Sequence, residues 1–412
     1  MTMWTQPAFW LMLLPLVAAA TLWPAGRWPR AQAAAGVLLA WLSAAWLWWV
    51  DLPAAGAMWP VFGRAFVLTP ALQTLFVYLL LGAGLLSLLS LLPFLNSGPR
   101  FVPVMLALLS PAAAMVMIRP FLLAAPFWLL LVVGTLSLFR YEKQSGVTAV
   151  QTAFRYWLLL LLATLLLLLA GWMLGGTQAA LLLPGARLLA LALGIMLAGF
   201  PFFIWVRPVV TAVPLLALPV LVGLLPLVAA AFYVTLLPAY PALAQTDAFL
   251  VWLPWSAGLT VLLAGFLALA ATDWRDLLGS LILLDMGFAL LALPLAGWGG
   301  WETAVGPHLL RLVSLLLLVI GSYAVGGQSL SLFDNRYALF REQNLLKGAG
   351  WLWTYGLLSL LGLPLTPGFY GRWPLLATLG SSEIASLPLA LLLVGGLALA
   401  LLGIGRQVWT NP

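Results

Sequence analysis

Runs of about twenty apolar residues follow one another along nearly the whole of this 412-residue chain, and they leave few ways to arrange its backbone. Inside a bilayer every amide must be satisfied within its own helix or around a closed barrel. Barrel strands would alternate apolar and polar residues with a period of two, whereas these runs are unbroken stretches of Leu, Ala and Val. The expected fold is therefore all-α and polytopic. Charged residues make up only 7% of the chain and hydrophobic ones 65%, which excludes a soluble core.

The rule of some twenty residues per crossing gives about thirteen spans, near 7–24, 33–50, 70–95, 101–118, 121–139, 152–175, 183–205, 214–237, 249–272, 277–297, 304–325, 349–373 and 384–404. The first run, Phe9 to Leu22, has no basic segment before it and no small-residue cleavage site after it, so it is expected to remain as a helix. If the spans alternate sides, one side collects Arg27, Arg30, Arg100, Arg140, Lys143, Arg155, Arg207, Arg275, Arg336, Arg341, Lys347 and Arg406. The other side keeps Arg64, Arg119, Arg187 and Arg372. By the positive-inside rule the N-terminus is outside and the C-terminus inside. The same scattering accounts for the formal charge of +7 without a basic face, so no nucleic-acid partner is expected. The longest polar connection, Gln328 to Gly348, interleaves Phe333, Tyr337, Phe340 and Leu345 with charged residues at helical spacing, which predicts a short interfacial helix.

The chain has no cysteine, and His308 is its single histidine. It cannot supply the ligands of an iron–sulfur cluster, a structural zinc or a bis-histidine haem, so no cofactor and no metal is expected. No nucleophile with a histidine base and no phosphate-cradling loop stands out, so catalysis by this chain alone is not expected either. Clusters such as Trp41, Trp46, Trp48 and Trp49 fall toward span ends, as an interfacial aromatic belt requires.

Two segments interrupt the helical pattern at membrane depth: Gly199 to Trp205 (GFPFFIW) and Gly362 to Pro374 (GLPLTPGFYGRWP). A pair of Gly/Pro-broken spans in the two halves of a membrane chain marks discontinuous helices and an inverted repeat. The expected organisation is a single transmembrane domain, 1–412, with N-terminal helices over 1–95, a first repeat over about 101–237 and a second over about 249–404.

Four segments carry a resemblance. FPFFIWVRP (Phe200 to Pro208), PLLALPVLVG (Pro214 to Gly223), DWRDLLGSLILLDMGF (Asp273 to Phe288) and GLLSLLGLPLTPGFYGRW (Gly356 to Trp373) occur in the order and at about the spacing of four motifs of the antiporter-like subunits of respiratory complex I. The family patterns are Pro-Phe-His-x-Trp-x-Pro-Asp, a Pro-rich helix start, Lys-Arg-Leu-Leu-Ala-Tyr-Ser-Ser-x-x-His-x-Gly-Phe, and Ser-Leu-x-Gly-x-Pro-Pro-x-x-Gly-Phe-x-Gly-Lys. Weaker echoes lie at Thr135 to Tyr141, Thr152 to Trp157 and Ile320 to Val325. The chain resembles the short N- and M-type subunits most.

The resemblance implies a proton path: a glutamate in the fifth helix, a lysine in the broken seventh, a lysine or histidine in the eighth, and a lysine or glutamate in the broken twelfth. Protons cross a bilayer only along titratable groups and water. In this chain the corresponding positions read Gly134, Met196 and, depending on a one-residue gap, Pro226 or Leu227, while the motif histidine is Phe203. Arg372 stands at the twelfth-helix lysine and Arg155 at a lysine near the start of the sixth. An arginine holds its proton at any physiological pH. Asp285 replaces the motif histidine of the tenth span, and His308 and Arg311 lie three apart in the eleventh, on one helix face. Asp285 and Arg311 are expected to pair, because a lone carboxylate is costly at membrane depth.

The candidate proton-path or structural ion-pair residues are thus Asp285, His308, Arg311, Arg372 and Arg155. The resemblance implies an antiporter-like membrane-arm subunit of a complex I-type NADH:quinone oxidoreductase in a bacterial inner membrane, with other membrane-arm subunits and lipids as partners. Most titratable positions are lost, so the expected role is structural. The alternatives are proton or cation/proton translocation by an altered route, or the equivalent subunit of a membrane-bound hydrogenase or an inorganic-carbon uptake complex.

Overall fold

The computed structural model describes residues 6–61, 63–91, 98, 100–139, 146–176, 179–324, 344–382, 384 and 386–410. Apart from its 344–348 end, the interfacial helix expected over Gln328 to Gly348 lies outside them. Helices dominate: α1 (Pro7–Leu22), α2 (Pro29–Trp49), α3 (Pro70–Leu89), α4 (Phe101–Met117), α5 (Ala124–Leu136) and α6 (Gly146–Leu174) lead into the first interrupted span, α7 (Leu182–Met196) and α8 (Val206–Ala212). Then follow α9 (Leu225–Leu236), α10 (Leu253–Ala270), α11 (Trp274–Ala324), the second interrupted span, α12 (Asn344–Leu361) and α13 (Pro367–Ser381), and finally α14 (Leu387–Thr410). Seven helices among the described residues are long and apolar enough to cross a membrane, and six further apolar helices are shorter.

The expectation of a purely helical chain needs one correction. Ala57–Val61 (β1) and Arg64–Leu68 (β2) form an antiparallel hairpin, and Ile118–Arg119 (β3) extends it to three strands in the order β1-β2-β3. Gly63, at φ 72°, supplies the turn that an L-residue would resist. Trp59 and Phe66 face each other in register and stack at 5.4 Å. Pro60 is tolerated because β1 is an edge strand that has no further partner to donate to.

The core is built around α11. The α11 stretch consists of two helices that meet at a kink, where Gly300 has φ 65° and ψ −151°, a conformation open to glycine almost alone. The chain therefore turns there, and two limbs, 274–299 and 301–324, correspond to the two separate spans expected from sequence. Every residue from 277 to 296 is buried, as a helix apolar on all sides demands. Helices α8, α9, α10, α12 and α13 pack around α11. Short π-helical stretches, Pro219–Leu224 and Ala248–Trp252, precede α9 and α10 and leave Pro226 and Pro254 at the first turn of a regular helix, where a missing N–H is harmless.

Helices α10 and α14 approach through glycine. A Cβ on Gly265 would lie 2.8 Å from the Gly396 Cα, and one on Gly396 would lie 2.8 Å from the Val261 side chain. Small residues at such crossings let two backbones meet and gain dispersion contacts that lipid cannot supply. Gly265→Val is expected to force the pair apart and to cost about 1–3 kcal/mol, read as a lower thermal midpoint in detergent. Gly306→Val, at a position where a Cβ would meet nothing within 4 Å, serves as the control.

Candidate functional site: a buried ion cluster at the second broken helix

In a straight helix Asp285 and Arg311 would stand about 39 Å apart. The turn at Gly300 folds them together, and Arg311 Nε donates to Asp285 Oδ2 while its Nη2 reaches the Asp285 carbonyl at 3.3 Å. The other carboxylate oxygen is taken by Arg372 of α13, whose Nη2 lies 2.7 Å from Asp285 Oδ1. One carboxylate thus faces two guanidinium groups. Asp285 is 4% exposed, Arg311 1% and Arg372 3%, so all three charges are out of reach of solvent screening. A buried ion of this kind costs several kcal/mol unless it is paired and hydrogen-bonded.

Local sequence builds the other half of the cluster. The α12–α13 interruption leaves the last carbonyls of α12 without helical partners, and Arg372 donates to two of them, Leu360 and Leu361. A cation at a helix C-terminus is favoured by the partial negative charge there. Gly362 permits this approach for two reasons. Its φ is +71°, and a Cβ on it would sit 2.9 Å from the Arg372 Cδ. The Arg372 guanidinium also lies 4.4 Å from the centre of the Phe288 ring, a cation–π contact one turn from Asp285.

Hydroxyls complete the joint. Ser314 and Ser359 share a 2.6 Å hydrogen bond, and the Gly368 amide donates to Ser359 Oγ at 2.8 Å. Thr366 caps α13 by accepting from the Phe369 amide. His308 is fully buried one turn before Arg311, and neither ring nitrogen makes a hydrogen bond of normal geometry, although the Ala289 backbone lies beside it.

The first broken helix is held differently. Between α7 and α8 the helix is interrupted at Ala198, whose φ is 54°. The freed Phe200 amide donates to Thr260 Oγ1 at 2.8 Å, and the Phe200 carbonyl accepts from Ser256 Oγ at 2.8 Å, both hydroxyls coming from α10. Re-satisfying the interrupted backbone with hydroxyls is what a membrane interior requires. Among the described residues no ionisable side chain takes part. Met196 and Leu227 are buried, Pro226 sits in the first turn of α9, and Phe203 is half-buried. Gly134 is packed so closely that a Cβ would lie 2.6 Å from the Leu108 side chain. Beside it Thr135 and Tyr156 share a 2.9 Å hydrogen bond, and Tyr156 meets Trp205 edge-on at 5.5 Å.

Four of the five sequence candidates, Asp285, His308, Arg311 and Arg372, therefore lie around one joint. Arg155 does not join them: it is exposed on α6, while its neighbour Tyr156 points into the core. Sequence reading did not single out Ser314, Ser359, Ser256 or Thr260, because a lone hydroxyl in an apolar span carries no spacing signal. It also passed over the Arg207–Asp276 ion pair, which joins α8 to the start of α11.

A family model described as "NADH:quinone oxidoreductase/Mrp antiporter, TM" matches residues 71–398. The chain belongs to this family. Among curated proteins, subunit N of the NADH-quinone oxidoreductase of Chromohalobacter salexigens is 28% identical over 206 residues. That match takes in 48% of this chain and 41% of the relative, so the aligned part is less than half of the relative's length. Among solved structures, the archaeal membrane-bound sulfane sulfur reductase contains a chain that superposes with a TM-score of 0.76 at 17% identity, covering 98% of this chain and 87% of that one. A chain of the Mrp complex of a Dietzia species gives 0.75 at 17% identity over 100% and 80%. One of respiratory complex I from Thermus thermophilus gives 0.70 at 20% identity over 97% and 89%. These three likenesses establish a shared fold.

Proposed function

We propose that this antiporter-family chain is a membrane-arm subunit of a complex I-type assembly that braces its neighbours without relaying protons by the family's path. The observation that carries the reading is the Asp285–Arg311–Arg372 cluster. A relay needs groups that gain and lose protons, but here the one buried carboxylate among the described residues is clamped by two guanidinium groups that keep theirs. In the first half of the chain the family's titratable positions are filled by Gly134, Met196 and Pro226 or Leu227.

The paired interruptions support two five-span units, about 101–237 and 249–404, in a single domain of about thirteen spans. Polar contacts between loops support the alternation of sides. Arg207 meets Asp276, Arg275 meets the Thr211 carbonyl and Arg406 the Ala271 carbonyl at one end. Arg187 meets Asp247, and Arg119 the Thr235 carbonyl, at the other. The excess of Lys and Arg at the first end supports the reading that it faces the inside, in a bacterial inner membrane.

The test is to purify the native assembly through this chain, identify its partners, and compare redox-driven proton uptake before and after Asp285→Asn combined with Arg372→Met. The double substitution removes one charge of each sign and leaves the net charge of the joint as it was. Unchanged pumping in an intact assembly beside complex I subunits is the expected result. Loss of pumping with the assembly intact would mean that protons pass through Asp285, and recovery of hydrogenase or carbon-uptake subunits would place the chain in another machine.

A further inference from the structure

The joint around Asp285 has two deficits of the same sign. The first is charge: Asp285 is opposed by both Arg311 and Arg372, leaving one positive charge uncompensated among the described residues, in groups that are at most 4% exposed. The α12 carboxyl end offsets part of it, since Leu360 and Leu361 accept from Arg372. The amino end of α13, which begins at Pro367 in the same interruption, adds positive potential and so works against that relief.

The second deficit is acceptors. Arg311 Nη1 and Arg372 Nε are buried with no hydrogen-bond partner among the described residues, and the buried His308 ring has only the Ala289 backbone beside it. Every one of the unpartnered guanidinium atoms is a donor. An unmet buried donor costs about 1–3 kcal/mol, and more when it is charged. Water would answer the second deficit and leave the first. A carboxylate from a neighbouring subunit would need a path through residues that are themselves buried, because Arg311 and His308 are enclosed by this chain alone.

We propose that the joint binds a small monovalent anion of the halide class, held by the Arg311 guanidinium with His308 and Arg372 beside it. One such ion neutralises the excess charge and accepts from the free donors together. This site stands whether or not protons move through the chain, so it is independent of the bracing role. Bound there, the anion would make the cluster electrically closed and would tie the fold-back of α11 to the α12–α13 interruption.

The test uses the full chain in detergent, with bromide as the probe. Thermal midpoints are measured as sodium bromide replaces sodium gluconate at constant ionic strength, and bromide-grown crystals are searched for anomalous signal. The midpoint is expected to climb with bromide concentration, as linkage requires of a ligand that binds only the folded state, and a single buried peak is expected within hydrogen-bonding reach of Arg311. Arg311→Lys, which keeps the charge but loses the fork of donors, is expected to lower the midpoint in gluconate, because its two contacts with Asp285 go, and to lose the bromide response. Midpoints indifferent to bromide, a joint with no anomalous peak, or a response that survives Arg311→Lys would each overturn the assignment. Should Arg311→Lys fail to fold, the wild-type anomalous map decides alone.

Discussion

Asp285→Leu as a single change is expected to cost the protein about 3–5 kcal/mol, the range for removing one partner of a buried ion pair. The loss is large because the two guanidinium groups that share the carboxylate then lose the charge that bridges them. The revealing comparison is the triple variant Asp285→Leu, Arg311→Met, Arg372→Met. Replacing a whole buried ionic group by apolar residues of similar volume is often neutral or stabilising. The triple variant should therefore recover most of what the single one loses, measured as the thermal midpoint or as the yield of monodisperse protein. If the single change were as mild as a surface substitution, the cluster would have to be hydrated and adaptable, and the bracing role would lose its main support.

The second large effect is expected at Gly368, in the first turn of α13. A Cβ built there would overlap the Ser359 carbonyl oxygen and lie 2.8 Å from the Ser359 carbonyl carbon. Those are backbone atoms of α12, with no rotamer to change. Gly368→Ala should consequently separate the two halves of the interrupted span and break the hydrogen bonds from Gly368 to Ser359 and from Ser359 to Ser314. A loss of more than about 3 kcal/mol, beyond the usual penalty for overpacking, is anticipated. Gly380→Ala makes the control, since a Cβ at Gly380 would meet nothing within 4 Å. Near-equal thermal midpoints for the two variants would show that α12 and α13 are not clamped by this contact.

How far the sequence could be read depended on whether the signal was local. The interruptions at Gly199 to Trp205 and Gly362 to Pro374 were legible because Gly and Pro act on their own backbone. The approach of Asp285 and Arg311 was legible because an unpaired carboxylate at membrane depth has to find a partner and Arg311 is the single Lys or Arg in the two flanking spans. Arg372 as a second claimant on the same carboxylate was not, since 87 residues separate the two positions and only the fold-back of α13 onto α11 brings them together. The hairpin at Ala57 to Leu68 escaped because a pattern of twenty-residue apolar runs hides a five-residue alternation between them. The hydroxyl braces, Ser256 and Thr260 at one break and Ser314 and Ser359 at the other, belong to the same class as Arg372: each satisfies a backbone or side chain from a different span.

The turn at Gly300 makes the chemistry of the joint a matter of chain length. Only one residue there departs from helical geometry, so nothing between the limbs can absorb slack. Adding or deleting a single residue would rotate the second limb by about 100° about its axis. Arg311 would swing off Asp285 and a leucine would take its place, although no residue of the cluster had been altered. The two limbs therefore behave like a combination dial with one working setting, and length variation among relatives should be absent from the segment between Asp285 and Arg311 while it is tolerated in the connections outside it.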